Sequence, residues 1–418
     1  MPILKFIFLI SILAIFNSYL FTQSWVQQNS GTNLHLNCIY FINSNTGFIG
    51  ADSGRALKTT NGGINWIIIN TGLSRAIYSI QFPDQTTGFA GVENKVIKTT
   101  NSGLNWDTTN SIGGKYISFL NANTGYSLNG NNVLKTINSG ASWIQSGSIP
   151  TTNTSWSIFF TSETNGIVGG TWWAMSINFY NLQIWKTTSS GQNWNTVYAG
   201  PISTYSKIYD VHCTDNNNCF ALGNVGNVYY FYKSVNGGIN WNQQQTSNDI
   251  YYDQWFIDNN TGWLVGNNGK IIYTDNGAVN WFSQNSGINS NLNAVFFVNS
   301  SIGYTCGANG VILKTTNGGI TAVHQTGNEI PEKYSLSQNY PNPFNPATQI
   351  SFDIPKTSIV NLTFYDAIGR VIAQLVNQQL APGSYKVEWD ASNYPSGVYY
   401  YRLQAGEFVR TNKMVLLK

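Results

Sequence analysis

Residues 38–69 set the pattern of the chain. Apolar runs, CIYF (38–41), GFIGA (47–51), RALKTT (55–60) and NWIII (65–69), alternate with turn-forming NSNT (43–46), DSG (52–54) and NGG (61–63). Such spacing predicts four short strands joined by tight turns. The pattern then returns. Aligned on the first residue of an octet that reads TTNGGINW at 59–66, copies begin at Thr59, Thr99, Thr136, Thr187, Ser234, Thr274 and Thr315. Seven four-stranded repeats of this length predict propeller blades, so residues 23–324 are expected to form an all-β, seven-bladed β-propeller.

The octet follows [S/T]-x-[N/D/S]-x-G-x-x-W. In its first copy the marked positions are Thr59, Asn61, Gly63 and Trp66. The hydroxyl and the Asn amide suit bonding to turn backbone, Gly supplies a positive φ, and Trp packs back over the turn. Burying one Trp removes ~150–250 Å² from water, roughly 4–6 kcal/mol as an upper bound. The octet is therefore expected to be a folding clasp, with Trp106, Trp143, Trp194, Trp241 and Trp281 as its later anchors. The seventh copy, 315–322, ends TTNGGITA and lacks its Trp. Yet SWVQQNSG (24–31) nearly copies NWFSQNSG (280–287), and LNCIYF (36–41) parallels LNAVFF (292–297). Residues 24–31 thus read as the missing fourth strand of blade 7, with Trp25 standing in at the place of Ala322 and the ring closing on itself.

The repeat also bears on the cysteines. In six blades a Phe lies six residues before the Gly of the first turn: Phe41, Phe82, Phe119, Phe160, Phe256 and Phe297. In blade 5 both positions are Cys, which predicts a Cys213–Cys219 disulfide. Cys38 and Cys306 fall at equivalent faces of their blades and are expected to be free thiols.

Two segments stand outside the repeat. Lys5 precedes an apolar run, 6–16, too short to span a bilayer, so 1–22 reads as a secretory signal removed from the mature chain. After the propeller, 325–333 is polar and reads as a linker. Beyond it, TQISFDI (348–354), IVNLTFYD (359–366), GRVIAQL (369–375), SYKVEWD (384–390), GVYYYRLQ (397–404) and VRTNKMVLL (409–417) alternate as strands of a small Ig-like β-sandwich over 334–418.

The octets resemble the Asp-box (BNR) repeat, and the propeller is similar to those of photosystem II assembly factor-like proteins. Asn or Ser189 replaces the usual Asp, and Ala278 replaces a Gly. The C-terminal segment resembles the type IX secretion sorting domain of Gram-negative bacteria. The residues that carry the resemblance are Tyr340, Pro341, Asn342, Pro343, Phe344, Asn345 and Pro346, YDAIGR (365–370), SGVYYYRL (396–403) and the terminal KMVLLK from Lys413 to Lys418. It implies a partner in the type IX secretion machinery, and a chain released outside the cell or held at the outer-membrane surface. An ordinary Ig-like module that stays attached is the alternative.

Composition narrows the chemistry. Only 9% of residues are charged and the formal net charge is +3, with no basic or acidic block, so no nucleic-acid partner is expected. The propeller's two arginines, Arg55 and Arg75, cannot supply the triple carboxylate clamp of a sialidase. Its near-neutral balance also argues against a photosystem role. The three His show no metal-ligand spacing, and no cofactor is expected. A glycosidase would need paired carboxylates, for which Asp210, Asp215, Asp249, Asp253 and Asp258 are the candidates. What remains is a non-catalytic binding scaffold for a glycan or an envelope or extracellular protein. Aromatics outside the octets mark the candidate surface: Trp156, Trp172, Trp173, Tyr180, Tyr251, Tyr252 and Trp255. The competing reading packs these rings between blades in a purely structural surface protein.

Overall fold

A computed structural model describes residues 25–108, 112–150, 155–174, 179–246, 249–319, 323–327, 330–391 and 394–418. The proposed signal, 1–22, and Ala322 lie outside them.

Each octet closes through its first hydroxyl. Thr59 Oγ1 accepts the N–H of Gly63 (2.9 Å) and donates to Asn61 Oδ1 (3.0 Å), which accepts the N–H of Asn65 (3.0 Å). The arrangement recurs at Thr99, Thr136, Ser234 and Thr274. Thr315 makes the first two of these bonds. In the fourth copy Ser189 Oγ takes over the Asn role toward Asn193 (3.0 Å). Ala278 keeps the turn at φ 70°, in the left-handed region that other copies fill with Gly.

The octet Trp stands edge-on over the repeat Phe of its own blade. Phe41–Trp66, Phe82–Trp106, Phe119–Trp143, Phe160–Trp194 and Phe256–Trp281 have centroids 6.0, 6.0, 5.9, 6.0 and 6.2 Å apart. The other face of each Phe stacks on the preceding blade, as in Phe82 on Phe48 (3.8 Å) and Phe297 on Trp263 (3.4 Å). Phe41 pairs directly with Gly47, where a Cβ would sit 2.4 Å from the ring. In blade 5 the same pair is Cys213 and Cys219, joined as a disulfide beneath Trp241 and against Ile167. A small bridge thus replaces a ring, and an aliphatic replaces the ring it would have stacked on. Cys38 and Cys306 are free.

Six blades have four antiparallel strands. Blade 2 has three among the described residues, Ser79–Gln81, Gly88–Val92 and Lys95–Thr99, plus a bridge from Lys98 to Asp107. Blade 7 is completed by the N-terminus, since Val26–Gln28 pairs with Ile312–Thr315. Trp25 is 0% exposed, stands edge-on to Phe297 at 5.8 Å and donates its indole N–H to Gln284 Oε1 at 2.9 Å. A second set of ties comes from the Lys just before the octet. Lys58, Lys98, Lys186, Lys233 and Lys314 each donate to the octet turn of the next blade, at Ser102 O, Ser139 Oγ, Gly237 O, Gly277 O and Gly62 O.

The second unit is a sandwich of two four-stranded sheets around one core that includes Phe352, Phe364, Trp389 and Tyr401. One sheet contains Val323–Gly327, paired with Gly383–Asp390. This corrects the sequence boundary. The polar stretch read as a linker from 325 begins inside a strand of the sandwich, and the two units divide at 321/322 rather than after 324. Polarity misled there because an edge strand tolerates polar side chains. The sorting residues come together. Phe344 is buried against Trp389 (5.7 Å), its N–H donates to Val415 O and its carbonyl accepts from Leu417 N–H (both 3.0 Å), and Asn342 Oδ1 accepts from Val415 N–H at 2.9 Å. The Pro-rich loop therefore seats the last strand, Phe408–Leu416, whose Met414 and Leu416 are fully buried. Tyr340 is exposed.

Candidate functional site

The innermost strands of the seven blades enclose a channel of about 520 Å³. Equivalent positions of successive strands lie at one level.

At the level next to the repeat Phe, rings touch around five blades. Phe159–His212, His212–Trp255, Trp255–Phe296 and Phe296–Tyr40 have centroids 5.1, 4.7, 4.3 and 5.1 Å apart. Their polar tips reach the carbonyl of the next blade's repeat Phe. Tyr40 donates to Phe82 O (3.0 Å), Gln81 to Phe119 O (2.9 Å), His212 to Phe256 O (3.1 Å) and Trp255 to Phe297 O (3.1 Å). Trp255, expected as a ligand contact, is thus an inter-blade tie. Burial pulls the His212 imidazole down to about 4, and its bond to Phe256 only partly offsets this.

One level in sit two carboxyls. Asp210 Oδ1 accepts from Ser157 Oγ (2.9 Å), which in turn accepts the N–H of Val211. Asp253 Oδ2 accepts the N–H of Val295 (2.8 Å). Burial raises Asp210 to about 6 despite the Ser157 bond, and burial together with the charge of Asp210 raises Asp253 well above the carboxylate range. The two therefore release their protons in separate steps. The other candidate acids are structural. Asp215 and Asp258 accept turn N–H groups from Asn217 and Asn218 and from Asn260 and Thr261, and Asp249 pairs with Lys270 at 3.3 Å.

The opposite mouth is aromatic and cationic. Lys207 Nζ lies 3.8 Å above the Trp156 ring and 4.6 Å from that of Tyr209, and Lys115 Nζ lies 4.6 Å from Tyr78. Tyr252 packs on Tyr209 at 6.0 Å. Burial, and then the charge of Lys115, lowers Lys207 to about 8. Beside this mouth a pocket of about 230 Å³ is lined by Trp156, Thr171, Trp173, Tyr180, Tyr205, Ser206 and Lys207. Its wall is the long hairpin of blade 4, Gly166–Ala174 and Phe179–Thr187, in which Trp173 pairs with and stacks on Tyr180.

The structure thus gathers Trp156, Trp173, Tyr180 and Tyr252 at one end of the channel. Trp172, one residue from Trp173 on the same strand, does not line the pocket, because successive side chains point to opposite faces. Tyr251 is corrected outright: it is 1% exposed, in the core with Phe220 and Leu264, where no ligand reaches it. Sequence reading missed Lys207, Tyr205 and Tyr209. The stretch TYSKIYD (204–210) sets a Lys between two Tyr at the start of an innermost strand, and aligning the seven innermost strands exposes it.

Comparisons with known proteins agree with this architecture. Residues 338–417 match the family described as the secretion system C-terminal sorting domain, and residues 233–331 match photosynthesis system II assembly factor YCF48. No curated protein sequence matches the chain. Among solved structures, YCF48 bound to D1 peptide is similar at a TM-score of 0.55 and 18% identity, covering 71% of this chain and 97% of that one. YCF48 from Cyanidioschyzon merolae scores 0.54 at 18% identity, over 70% and 98%. PorZ, a surface component of the type IX secretion system of Porphyromonas gingivalis, scores 0.54 at 12% identity. It is matched over 94% of this chain, which spans 60% of that protein's length. Likeness at this identity shows the fold. The chain combines a YCF48/BNR-like propeller with a Por secretion sorting domain, and that domain implies export to the outer-membrane surface or beyond.

Proposed function

We propose that this exported propeller is a non-catalytic binding protein that holds a glycan at the aromatic mouth of its channel. The observation that carries the reading is the convergence of Trp156, Trp173, Tyr180 and Tyr205 on one pocket. Sugars present flat C–H faces to such rings, and a rigid scaffold with the site at its loops suits recognition. YCF48 has been solved with a D1 peptide, so an envelope or extracellular protein is the competing occupant.

Polysaccharide hydrolysis is a second reading, favoured by the Asp210–Asp253 pair in the same channel. Both carboxyls are engaged in holding neighbouring blades, which speaks for structure.

The test applies the full chain to a polysaccharide panel and follows retention and reducing-end release together. We expect retention without release, reduced at least tenfold in Trp173→Ala and unchanged in Trp172→Ala. Release that disappears in Asp210→Asn or Asp253→Asn would replace the binding reading with hydrolysis. Neither retention nor release would favour the protein ligand.

A further inference from the structure

Lys207 and Lys115, both half-buried, stand apart from the propeller's clasp lysines. The five clasp lysines occupy one repeat position and end on backbone or hydroxyl oxygens. Lys115 and Lys207 instead lie by the starts of innermost strands Tyr116–Phe119 and Ser206–Cys213, in blades 3 and 5. Lys207 Nζ sits over the Trp156 ring of blade 4, whereas Lys115 Nζ sits over Tyr78 of blade 2. Among the described residues neither has a carboxylate partner; the propeller's ion pairs there are Arg75–Glu93 and Lys270–Asp249. A third donor is also idle. The Trp156 indole N–H is buried and meets no acceptor among the described residues, although its ring lines both the channel and the side pocket. An ammonium without a carboxylate partner and an orphaned donor at one opening are costly unless something negative enters.

We infer that the sugar bound at this mouth is acidic, a uronic acid whose carboxylate is taken by Lys207 and the Trp156 N–H while its ring lies on Trp173 and Tyr180. This rests on the glycan reading above. The flat faces favour a pyranose ring over an extended peptide, and the unpaired donors favour a carboxylate over a neutral hydroxymethyl group. A charge-assisted bond to a fixed, half-buried donor exceeds its neutral counterpart by roughly tenfold or more in affinity.

The test uses the full chain with labelled lysine side chains. Amine NMR of Lys207 and Lys115 and tryptophan fluorescence are followed during titration with trimers of galacturonate and, separately, of neutral galactose. The expected result is a shift of the Lys207 amine signal with the acid alone, larger than that of Lys115, and at least tenfold tighter binding of the acid. Lys207→Gln should abolish that preference and Lys207→Arg should keep it, with both variants still responding in fluorescence to the neutral trimer. Equal binding of the two trimers with silent amines would overturn the acidic inference and leave the glycan reading standing. Silence toward both trimers, and toward glucuronate, mannuronate and their neutral counterparts, would overturn both. So would a response confined to a peptide with a free C-terminal carboxylate.

Discussion

His212 shows what one position can do within a repeat. Its equivalents are Tyr40, Gln81, Ser118, Phe159, Trp255 and Phe296, and the task of reaching the next blade's carbonyl passes among four chemistries. Only the imidazole titrates near the acid range. With a folded value of about 4 against an ordinary 6.5, the unfolded chain binds the extra proton between those limits. Acidification from pH 6.5 to 4 therefore costs stability, by ~3 kcal/mol from this group. Asp210 acts in the opposite sense. Raised to about 6 from 3.8, it makes the folded state the better proton binder over the same window, so acidification there favours folding. The two offset each other. His212→Gln, which installs the side chain that blade 2 already uses, should leave a protein that gains stability as pH falls from 6.5 to 4. Urea midpoints across that range read the outcome, and a midpoint that falls with pH in the variant would sink the assignment. None of this was legible in the sequence, where His212 carried no ligand spacing and its depressed basicity depends on burial beside Phe159 and Trp255.

At the scale of the element, the octet was legible because its function is local. Thr59, Asn61, Gly63 and Asn65 meet within seven residues, and propensity and hydrogen-bonding rules act at that range. Thr59→Ala removes the acceptor for a buried N–H and should lower stability by about 1–3 kcal/mol. Thr59→Ser, which blade 5 carries at Ser234, should cost well under half of that. Thermal melts of the pair separate the hydroxyl from the methyl group; equal losses would deny the hydroxyl its role. The disulfide was legible for the same reason, since Cys213 and Cys219 replace a Phe–Gly pair whose positions repeat six times. The mouth was only half legible. Its aromatics were conspicuous, but their grouping was not, because Tyr251 and Tyr252 are neighbours in sequence and point to the core and the channel respectively. Trp156 and Lys207 are 51 positions apart and meet only through the packing of blade 4 against blade 5. The clasp lysines were overlooked because a Lys before a turn looks like a solvated surface residue.

The whole molecule depends on one junction between distant parts of the chain. Trp25 is the seventh octet anchor, supplied from the other end of the propeller. Trp25→Ala should therefore cost more than Trp66→Ala, because it loosens the closure as well as the core, by roughly 3–5 kcal/mol for the side chain alone. Native-state hydrogen exchange would show blades 7 and 1 opening together below the global transition; an evenly weakened ring would contradict the closure. The junction also acts in time. Val26 pairs with Lys314, so every blade between them must exist before the first strand finds its partner. A chain delivered across a membrane from its N-terminus holds an unpaired strand until nearly three hundred residues have followed. Closure of the ring therefore comes late, and a chain truncated before Ile312 lacks the partner of its first strand.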